Sequence, residues 1–187
     1  ATTFNGTVNV GSAALTGTAF NLNNSFASGG TTVFTNSGVL TKNAGTNITS
    51  TGAFSTTGDV NLAANITTSD ANLTIGGNLV VAEAATPTLS TGAAGAGHIV
   101  VTGTTNGTAG GAAESLTVLA GTGNVTFTGN VGNNVDALEL EALTVTSAAT
   151  TLFSGDIELA NALTQSAGSV ATTFNGTVNV GSAALTG

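Results

Sequence analysis

Apolar and polar residues alternate in short runs along most of this chain. Clear examples are Val125 with Phe127 and Ile157 with Leu159, each pair separated by one polar residue. A period of two predicts strands that bury one face. Gly, Asn and Ser cluster between the runs, where they favour turns. The pattern therefore predicts an all-β fold.

A short motif recurs within this alternation. It reads Phe-x-Gly-x-(Val/Ile)-x-(Val/Leu) and begins at Phe4, Phe153 and Phe174, with a partial copy at Phe127 and an expanded copy at Phe54. Aliphatic landmarks, most of them followed by Thr, can also be chained at steps of 20–27 residues. These landmarks are Leu15, Leu40, Ile66, Leu89, Leu116, Leu143, Leu163 and Leu185.

A much longer repeat frames the chain. Residues 1–17 and residues 171–187 have the same sequence, ATTFNGTVNVGSAALTG, so the chain begins to repeat itself at position 171. Exact recurrence at a fixed period is typical of repeat proteins. We therefore interpret residues 1–170 as one long repeat unit and residues 171–187 as the start of the next identical repeat.

Short strands at this spacing favour a parallel β-helix, also called a β-solenoid. Each rung of such a fold buries its apolar face only by stacking on its neighbours. The landmarks predict about seven rungs of 20–27 residues in each 170-residue repeat. At a strand spacing of about 4.8 Å, seven rungs would advance roughly 34 Å. The alternatives are a tandem β-sandwich or a stack of hairpin modules.

Composition excludes several classes of function. The 187 residues include one Lys, no Arg and nine acids, for a formal net charge of −8, and Cys, Trp and Tyr are absent. Without basic residues the chain lacks the groups that neutralise nucleic-acid phosphates or anionic membrane surfaces. No apolar run approaches the roughly 20 residues that span a bilayer, so membrane insertion is not expected.

No catalytic residues and no cofactors are predicted. Acid–base and nucleophilic catalysis need positioned His, carboxylate, Lys or Cys groups. His98 stands at the start of an apolar run, with no acidic residue within ten positions. We interpret it as a structural histidine beside a turn, and we expect that the protein is not an enzyme.

The Thr- and Asn-rich rungs, the Phe-x-Gly-x-Val-x-Val core and the run LTQSAGSVATTFNGTVNVGSAALTG resemble large bacterial β-strand-repeat surface proteins. This group includes filamentous-haemagglutinin-like adhesins and autotransporter passengers. The resemblance covers essentially the whole chain, but it is one of composition and period. It implies a right-handed parallel β-helix, export to the cell exterior, and a role in adhesion, matrix or surface-layer formation. It transfers no functional residue.

One metal hypothesis arises from the acidic residues. Alignment of the runs around Leu140 and Leu159 puts Glu139 and Glu158 at the same outward position on adjacent rungs, with Asp136, Glu141 and Asp156 nearby. Stacked carboxylates repel each other, and Ca²⁺, which prefers six to eight oxygen ligands, would relieve the repulsion. The alternative is a solvated acidic patch. Asn9, Asn61 and Asn179 are expected in the same column, where they could form an amide ladder.

Asn-linked glycosylation is a further hypothesis. Asn-x-Ser/Thr sequons are acceptors for N-linked sugars in secreted proteins of suitable sources. The sequons begin at Asn5, Asn23, Asn47, Asn65, Asn72, Asn106, Asn124 and Asn175.

These observations favour a structural repeat of an extracellular filament, surface fibre or adhesin stalk at the cell surface. The expected partner is the chain itself, through tandem or head-to-tail axial stacking, and cell-surface glycans are a second candidate partner. The alternatives are a carbohydrate-binding or carbohydrate-cleaving β-helix, or an ice-binding solenoid. The absence of Trp and Tyr counts against sugar binding, because aromatic rings are the usual stacking platforms for sugars.

Overall fold

The computed structural model describes residues 1–108, 114–132, 140–166 and 170–186. These residues form strands joined by turns and contain no helix, so the all-β prediction is confirmed. In chain order the strands are β1 (Thr2–Phe4), β2 (Val8–Val10), β3 (Ala13–Gly17), β4 (Phe20–Leu22), β5 (Phe26–Ser28), β6 (Thr32–Asn36), β7 (Leu40–Lys42), β8 (Ile48–Ser50), β9 (Phe54–Thr56), β10 (Val60–Leu62), β11 (Ile66–Thr68), β12 (Leu73–Ile75), β13 (Leu79–Val81), β14 (Thr88–Ser90), β15 (Ile99–Val101), β16 (Thr105–Asn106), β17 (Ser115–Leu119), β18 (Val125–Phe127), β19 (Leu140–Ser147), β20 (Thr150–Phe153), β21 (Ile157–Gln165), β22 (Ala171–Phe174) and β23 (Val178–Leu185).

The strands assemble into three parallel sheets that run along the solenoid axis. Sheet 1 has the order β1-β4-β7-β10-β13-β16. Sheet 2 has the order β2-β5-β8-β11-β14-β17-β19-β21-β23, and sheet 3 has the order β3-β6-β9-β12-β15-β18-β20-β22. The chain visits sheets 1, 2 and 3 in turn, and so makes about eight turns. The predicted parallel β-solenoid is confirmed.

Turn length changes along the axis. Asn23 and Asn43 stand at the same corner of successive early turns and are 20 positions apart. Asn78 and Thr104 are equivalent corner residues of two later turns, and they are 26 positions apart. The spacing returns to 21 positions at Thr177, near the end of the chain. Since every turn contributes one strand position to each sheet, the extra residues lie in the corners.

The chain of aliphatic landmarks is correct in one part and wrong in others. Leu116, Leu143 and Leu163 pair directly in sheet 2, as predicted. Leu15, by contrast, pairs with Phe34 in sheet 3, and Leu40 lies in sheet 1. All three sheets point aliphatic side chains inward, so spacing alone cannot tell one sheet from another.

The other landmark steps are mixed as well. Ile66 pairs directly with Leu89, as the landmarks predict. Leu89, however, pairs with Val118 rather than Leu116, and Leu185 pairs with Gln165 rather than Leu163.

The core is a single apolar column enclosed by the three sheets. Inward residues alternate with outward ones along each strand, as in β10, where Val60 and Leu62 are buried and Asn61 is half-buried. Burial of such side chains contributes about 1.5–3 kcal/mol each. Because each turn is only one strand thick, this stabilisation exists only when turns stack on one another.

Candidate functional site

Within the given residues, the first and the last turn each leave one strand edge without a partner strand. Strands β1, β2 and β3 terminate the three sheets at one end, and β23 and β22 terminate sheets 2 and 3 at the other. Apolar side chains are exposed there: Val10 at the first end, and Val178 and Leu185 at the second, are 36 to 49% accessible. Unpaired edges carry backbone groups that can pair with another strand. These ends are the candidate axial stacking surface.

A column of glycines explains the Gly of the short motif. The glycine column comprises Gly58, Gly77, Gly103, Gly129, Gly155 and Gly176, which stand one above another at the corner from sheet 3 to sheet 1. A Cβ atom on Gly129 would lie 2.5 Å from the carbonyl oxygen of Gly103, and a Cβ on Gly176 would lie 2.6 Å from the carbonyl carbon of Gly155. The turns therefore stack too closely for a side chain at this corner.

The residues that follow the glycine column carry the hydrogen bonds of the same corner. Asp59 Oδ1 accepts from the backbone N–H of Asn78 at 2.7 Å, and Asn78 Oδ1 accepts from that of Thr104 at 2.9 Å. Asn130 Oδ1 likewise accepts from the N–H of Asp156 at 3.0 Å. Each such side chain satisfies a backbone donor of the next turn and so ties neighbouring turns together.

Asp156 continues this pattern with a charged acceptor. Its Oδ1 accepts from both the backbone N–H and the Oγ1 of Thr177, at 2.7 and 2.8 Å. The backbone hydrogen bond, assisted by the hydroxyl hydrogen bond, lowers the pKa of the Asp156 carboxyl below its usual value. The side chain is thus engaged in turn-to-turn contact.

Phenylalanine rings stack at the ends of the last sheet 3 strands, just before this corner. The rings of Phe127 and Phe153 are 5.4 Å apart between centroids, with an interplanar angle of 2°. The rings of Phe153 and Phe174 are 5.3 Å apart and inclined by 1°. The Phe and Gly of the motif are therefore both stacking residues, one inside the core and one in the corner.

An amide ladder exists, but not in the predicted column. Asn23 donates to Asn5 Oδ1 at 2.7 Å, and Asn43 donates to Asn23 Oδ1 at 2.6 Å, at the corner after sheet 1. Of the predicted column, Asn61 and Asn179 do lie on the line of sheet 1, where Asn179 pairs with Glu158 as predicted, whereas Asn9 lies in sheet 2. The error has the same origin as that of the landmarks, because the motif occurs at different corners.

His98 takes part in a corner ladder. Its backbone N–H donates to Asn72 Oδ1, and its Nδ1 accepts from the backbone N–H of Asn124, both at 2.9 Å. The imidazole thus occupies the place that Asn fills at other turns. This position agrees with the interpretation of His98 as a structural residue beside a turn.

Lys42 is the one lysine of the chain, and it points into the solenoid between Leu22 and Leu62. No part of its surface reaches solvent. Its ammonium end lies beneath the corner, where it donates to the carbonyl oxygen of Asn43 at 2.7 Å and to Thr46 Oγ1 at 3.2 Å. Both acceptors are uncharged, and burial lowers the pKa of Lys42 below its usual value. The alternation that starts at Leu40 places residue 42 on the inward face, although a lysine is usually exposed.

A shallow polar groove of about 270 Å³ lies at the corner where Asp156 and Glu158 stand, with Asn130, Thr177 and Asn179 beside them. Glu158 Oε1 accepts from Asn179 Nδ2 at 3.2 Å, and Glu141 Oε1 accepts from Asn161 Nδ2, so Glu141, Asp156 and Glu158 all have protein partners. Asp136 and Glu139 lie outside the described residues. Within the described ranges no cluster of three or more His, Asp or Glu side chains could hold a metal ion. The calcium site stays a prediction.

The sequon asparagines lie at corners and strand ends, in different environments. Asn5, Asn23, Asn47, Asn72 and Asn175 are exposed, whereas the remaining three are half-buried. The half-buried sequons are Asn65, Asn106 and Asn124. Several of the side chains already take part in turn-to-turn hydrogen bonds, as at Asn5, Asn23 and Asn72. Glycosylation stays a prediction.

Outward threonines form a single file on sheet 2. Thr88, Thr117, Thr144 and Thr164 pair on successive turns. Thr146 extends this file sideways on one strand, but the outward residue beside Thr117 is Leu119. The file is thus one threonine wide at that turn. A regular array two threonines wide, which would favour the ice-binding alternative, is not present there.

Together these features define a class: a parallel β-solenoid repeat protein whose motif residues join one turn to the next. No family model matches the chain, and comparisons with curated proteins and with solved structures give no significant match. The adhesin-like resemblance therefore rests on composition and period. In the described part of the chain, no helix has the length and hydrophobicity needed to cross a bilayer.

Proposed function

We propose that this chain is a structural repeat of an extracellular filament, surface fibre or adhesin stalk, built by axial stacking of β-solenoid turns. The observation that carries the proposal is the pair of identical 17-residue segments, which form the two terminal turns. Each segment already stacks on one neighbouring turn and leaves its other side open. A further copy of the repeat can cover that open side with the same kind of parallel pairing.

The distribution of motif residues supports a structural role. The motif residues make their contacts with neighbouring turns. This holds for the glycine column, for the Asn and Asp acceptors and for the stacked phenylalanines. Each of these contacts gains its value only in a stack. They favour a protein whose function is to extend along one axis.

Resistance to proteolysis is a second supporting feature for an exposed fibre. The chain offers trypsin-like enzymes one basic residue, Lys42, and that residue is fully buried. Cleavage at Lys42 therefore requires local unfolding of the third turn. A fibre outside the cell meets proteases, so this arrangement suits the proposed location.

The test is a tandem protein with two copies of residues 1–170 followed by residues 1–17, compared with the present chain by cryo-electron microscopy. We expect rods of constant width whose length increases by about 35–40 Å for each added repeat. Separate globular particles joined by linkers would contradict the proposal. Immunogold labelling of intact source cells, compared with permeabilised ones, tests the location: labelling only after permeabilisation would exclude the surface.

Glycan binding keeps one supporting feature, the polar groove beside Asp156 and Glu158. Its carboxylate and amide groups could bind sugar hydroxyls, although no aromatic side chain lines it. A glycan array probed with wild-type protein and with the Glu158→Ala variant tests this alternative. Binding that is lost in the variant would favour it over a purely structural role.

A further inference from the structure

The two identical 17-residue segments occupy different sheets. In the first segment Phe4 pairs with Leu22 in sheet 1, and the following valine, Val8, pairs in sheet 2. In the second segment Phe174 pairs with Phe153 in sheet 3, and the following valine, Val178, pairs with Ile157 on the line of sheet 1. The second segment is therefore displaced by one sheet around the axis relative to the first.

The second placement agrees with the short motif elsewhere in the chain. Phe174 extends the ring stack of Phe127 and Phe153, and Gly176 extends the glycine column above Gly155. Thr177 continues the hydrogen-bonded corner through Asp156. Three independent contacts thus place this segment at the corner from sheet 3 to sheet 1.

The first placement depends on contacts with the turn that follows it. Phe4 lies edge-on to Phe26, with 6.1 Å between ring centroids, and Asn5 accepts from Asn23. A Cβ on Gly6, the equivalent of Gly176, would meet nothing within 4 Å. The side of this segment that faces the preceding turn in the second copy is open in the first copy.

The two placements do not conflict, because they use opposite sides of one segment. The second copy shows how the segment stacks on the turn before it, and the first copy shows how it stacks on the turn after it. A segment inside a continuous array can make both sets of contacts together. When both are made, the sheets continue across the junction, but sheet 1 of the new repeat lies in line with sheet 3 of the old one.

We propose, on the basis of the proposed tandem array, that each 170-residue repeat spans seven and two-thirds turns and that successive repeats are rotated by one third of a turn about the axis. Phe4 to Phe174 covers seven whole turns and two further sheets. The axial advance is about 37 Å per repeat. The orientation is restored after three repeats, about 110 Å along the fibre.

This rotation determines how the fibre meets its surroundings. A feature confined to one corner, such as the groove beside Asp156 and Glu158, recurs on all three sides of the array. A second fibre of the same chain that contacts one surface of the repeat can therefore approach from any of three directions. The array is a stalk with equivalent sides and not a ribbon with one adhesive face.

The rotation is tested first by thiol crosslinking in the present chain, which contains no cysteine. Leu152 and Thr173 are paired outward residues of sheet 3, at the point where the second 17-residue segment begins. If the second segment were placed as the first one is, with its Phe in sheet 1, Thr173 would instead lie beside Glu158. The two double variants are L152C/T173C and E158C/T173C, and dibromobimane, which fluoresces when it bridges two close thiols, is the probe.

We expect efficient bridging in L152C/T173C and little bridging in E158C/T173C. The double variant T3C/N21C serves as the positive control, because Thr3 and Asn21 are paired outward neighbours in the first turns. Circular dichroism shows whether each variant folds. The reverse crosslinking pattern in folded variants would overturn the rotation.

The tandem protein then separates this inference from the proposed function. Rods whose reconstruction repeats every ~37 Å with a rotation of one third of a turn would support both. Rods that repeat with no rotation would support the proposed fibre and overturn the rotation between repeats. Separate particles would overturn the array itself, and with it the rotation between repeats.

Discussion

Substitution of Gly129 by alanine perturbs the middle of the glycine column. The added Cβ would lie 2.5 Å from the oxygen and 2.6 Å from the carbon of the Gly103 carbonyl, and 2.8 Å from Thr104 N. All of these atoms are backbone atoms of the turn below, so no side chain can move aside. Gly129 does not have a positive φ, so alanine can adopt its backbone conformation. The expected effect therefore comes from stacking alone.

The magnitude follows from the contacts. Relief of the clash requires the two turns to separate by several tenths of an ångström at this corner. The hydrogen bonds on either side, Thr128 N to Val101 O at 2.9 Å and Thr105 N to Asn130 O at 2.8 Å, would lengthen. Weakening two such bonds costs about 2 kcal/mol, and overpacking adds about 1–3 kcal/mol. We expect the free energy of unfolding to fall by about 3–5 kcal/mol.

Gly6→Ala is the matched control, because Gly6 stands in the same motif but has open space around its Cβ position. It should be neutral, or stabilising by up to about 1 kcal/mol through reduced entropy of the unfolded chain. Guanidinium unfolding, followed by circular dichroism because the chain has no Trp or Tyr, measures both variants. Equal unfolding midpoints for Gly129→Ala and Gly6→Ala would refute the stacking argument.

Three further predictions concern the corners and the core. Burial lowers the pKa of Lys42 below 10.5, so the unfolded chain binds more protons in the alkaline range, and stability should rise as pH increases toward 10.5. Lys42→Met should remove that rise in urea titrations and stabilise the protein at pH 7, because it removes a buried charge that has only uncharged acceptors. An unchanged slope would contradict the assignment. His98→Asn should keep the thermal midpoint, whereas His98→Ala, which leaves the Asn124 N–H without its acceptor, should lower stability by about 1 kcal/mol; equal midpoints would exclude a ladder role. The lowered pKa of Asp156 means that its carboxylate stabilises the folded protein above the unfolded pKa, and this stabilisation is lost as pH falls through the folded pKa. Asp156→Asn should therefore flatten the acid limb when the free energy of unfolding is measured against pH. Thr177→Val should act in the same direction.

Much of the fold could be predicted from local patterns. Inward and outward alternation at Val60, Asn61 and Leu62 is visible in the sequence and is present in β10. The structural character of His98 was also predictable, because no acidic residue accompanies it in the sequence. Register was harder to predict, since Leu15 and Leu40 look alike in sequence and lie in different sheets.

The contacts between successive turns were predictable only in part. The motif marks Phe153 and Gly155 as important, but it does not say that the glycine is required by a carbonyl of the preceding turn. The period of two that starts at Leu40 places residue 42 on the inward face, but the residue type argues against burial, because lysine is rarely fully buried. The acceptor role of Asn78 likewise depends on a residue 26 positions away.

Three properties of this chain follow from local composition and period alone: it forms short strands, each strand buries one face, and the strands stack as a repeat. Each of these properties depends on close neighbours in the sequence. Tertiary structure alone decided which sheet each strand joins and how many turns fill one long repeat. The physical reason is that a solenoid corner can absorb extra residues without breaking the stack. The same sequence, residues 1–17 and 171–187, can therefore occupy two different sheets.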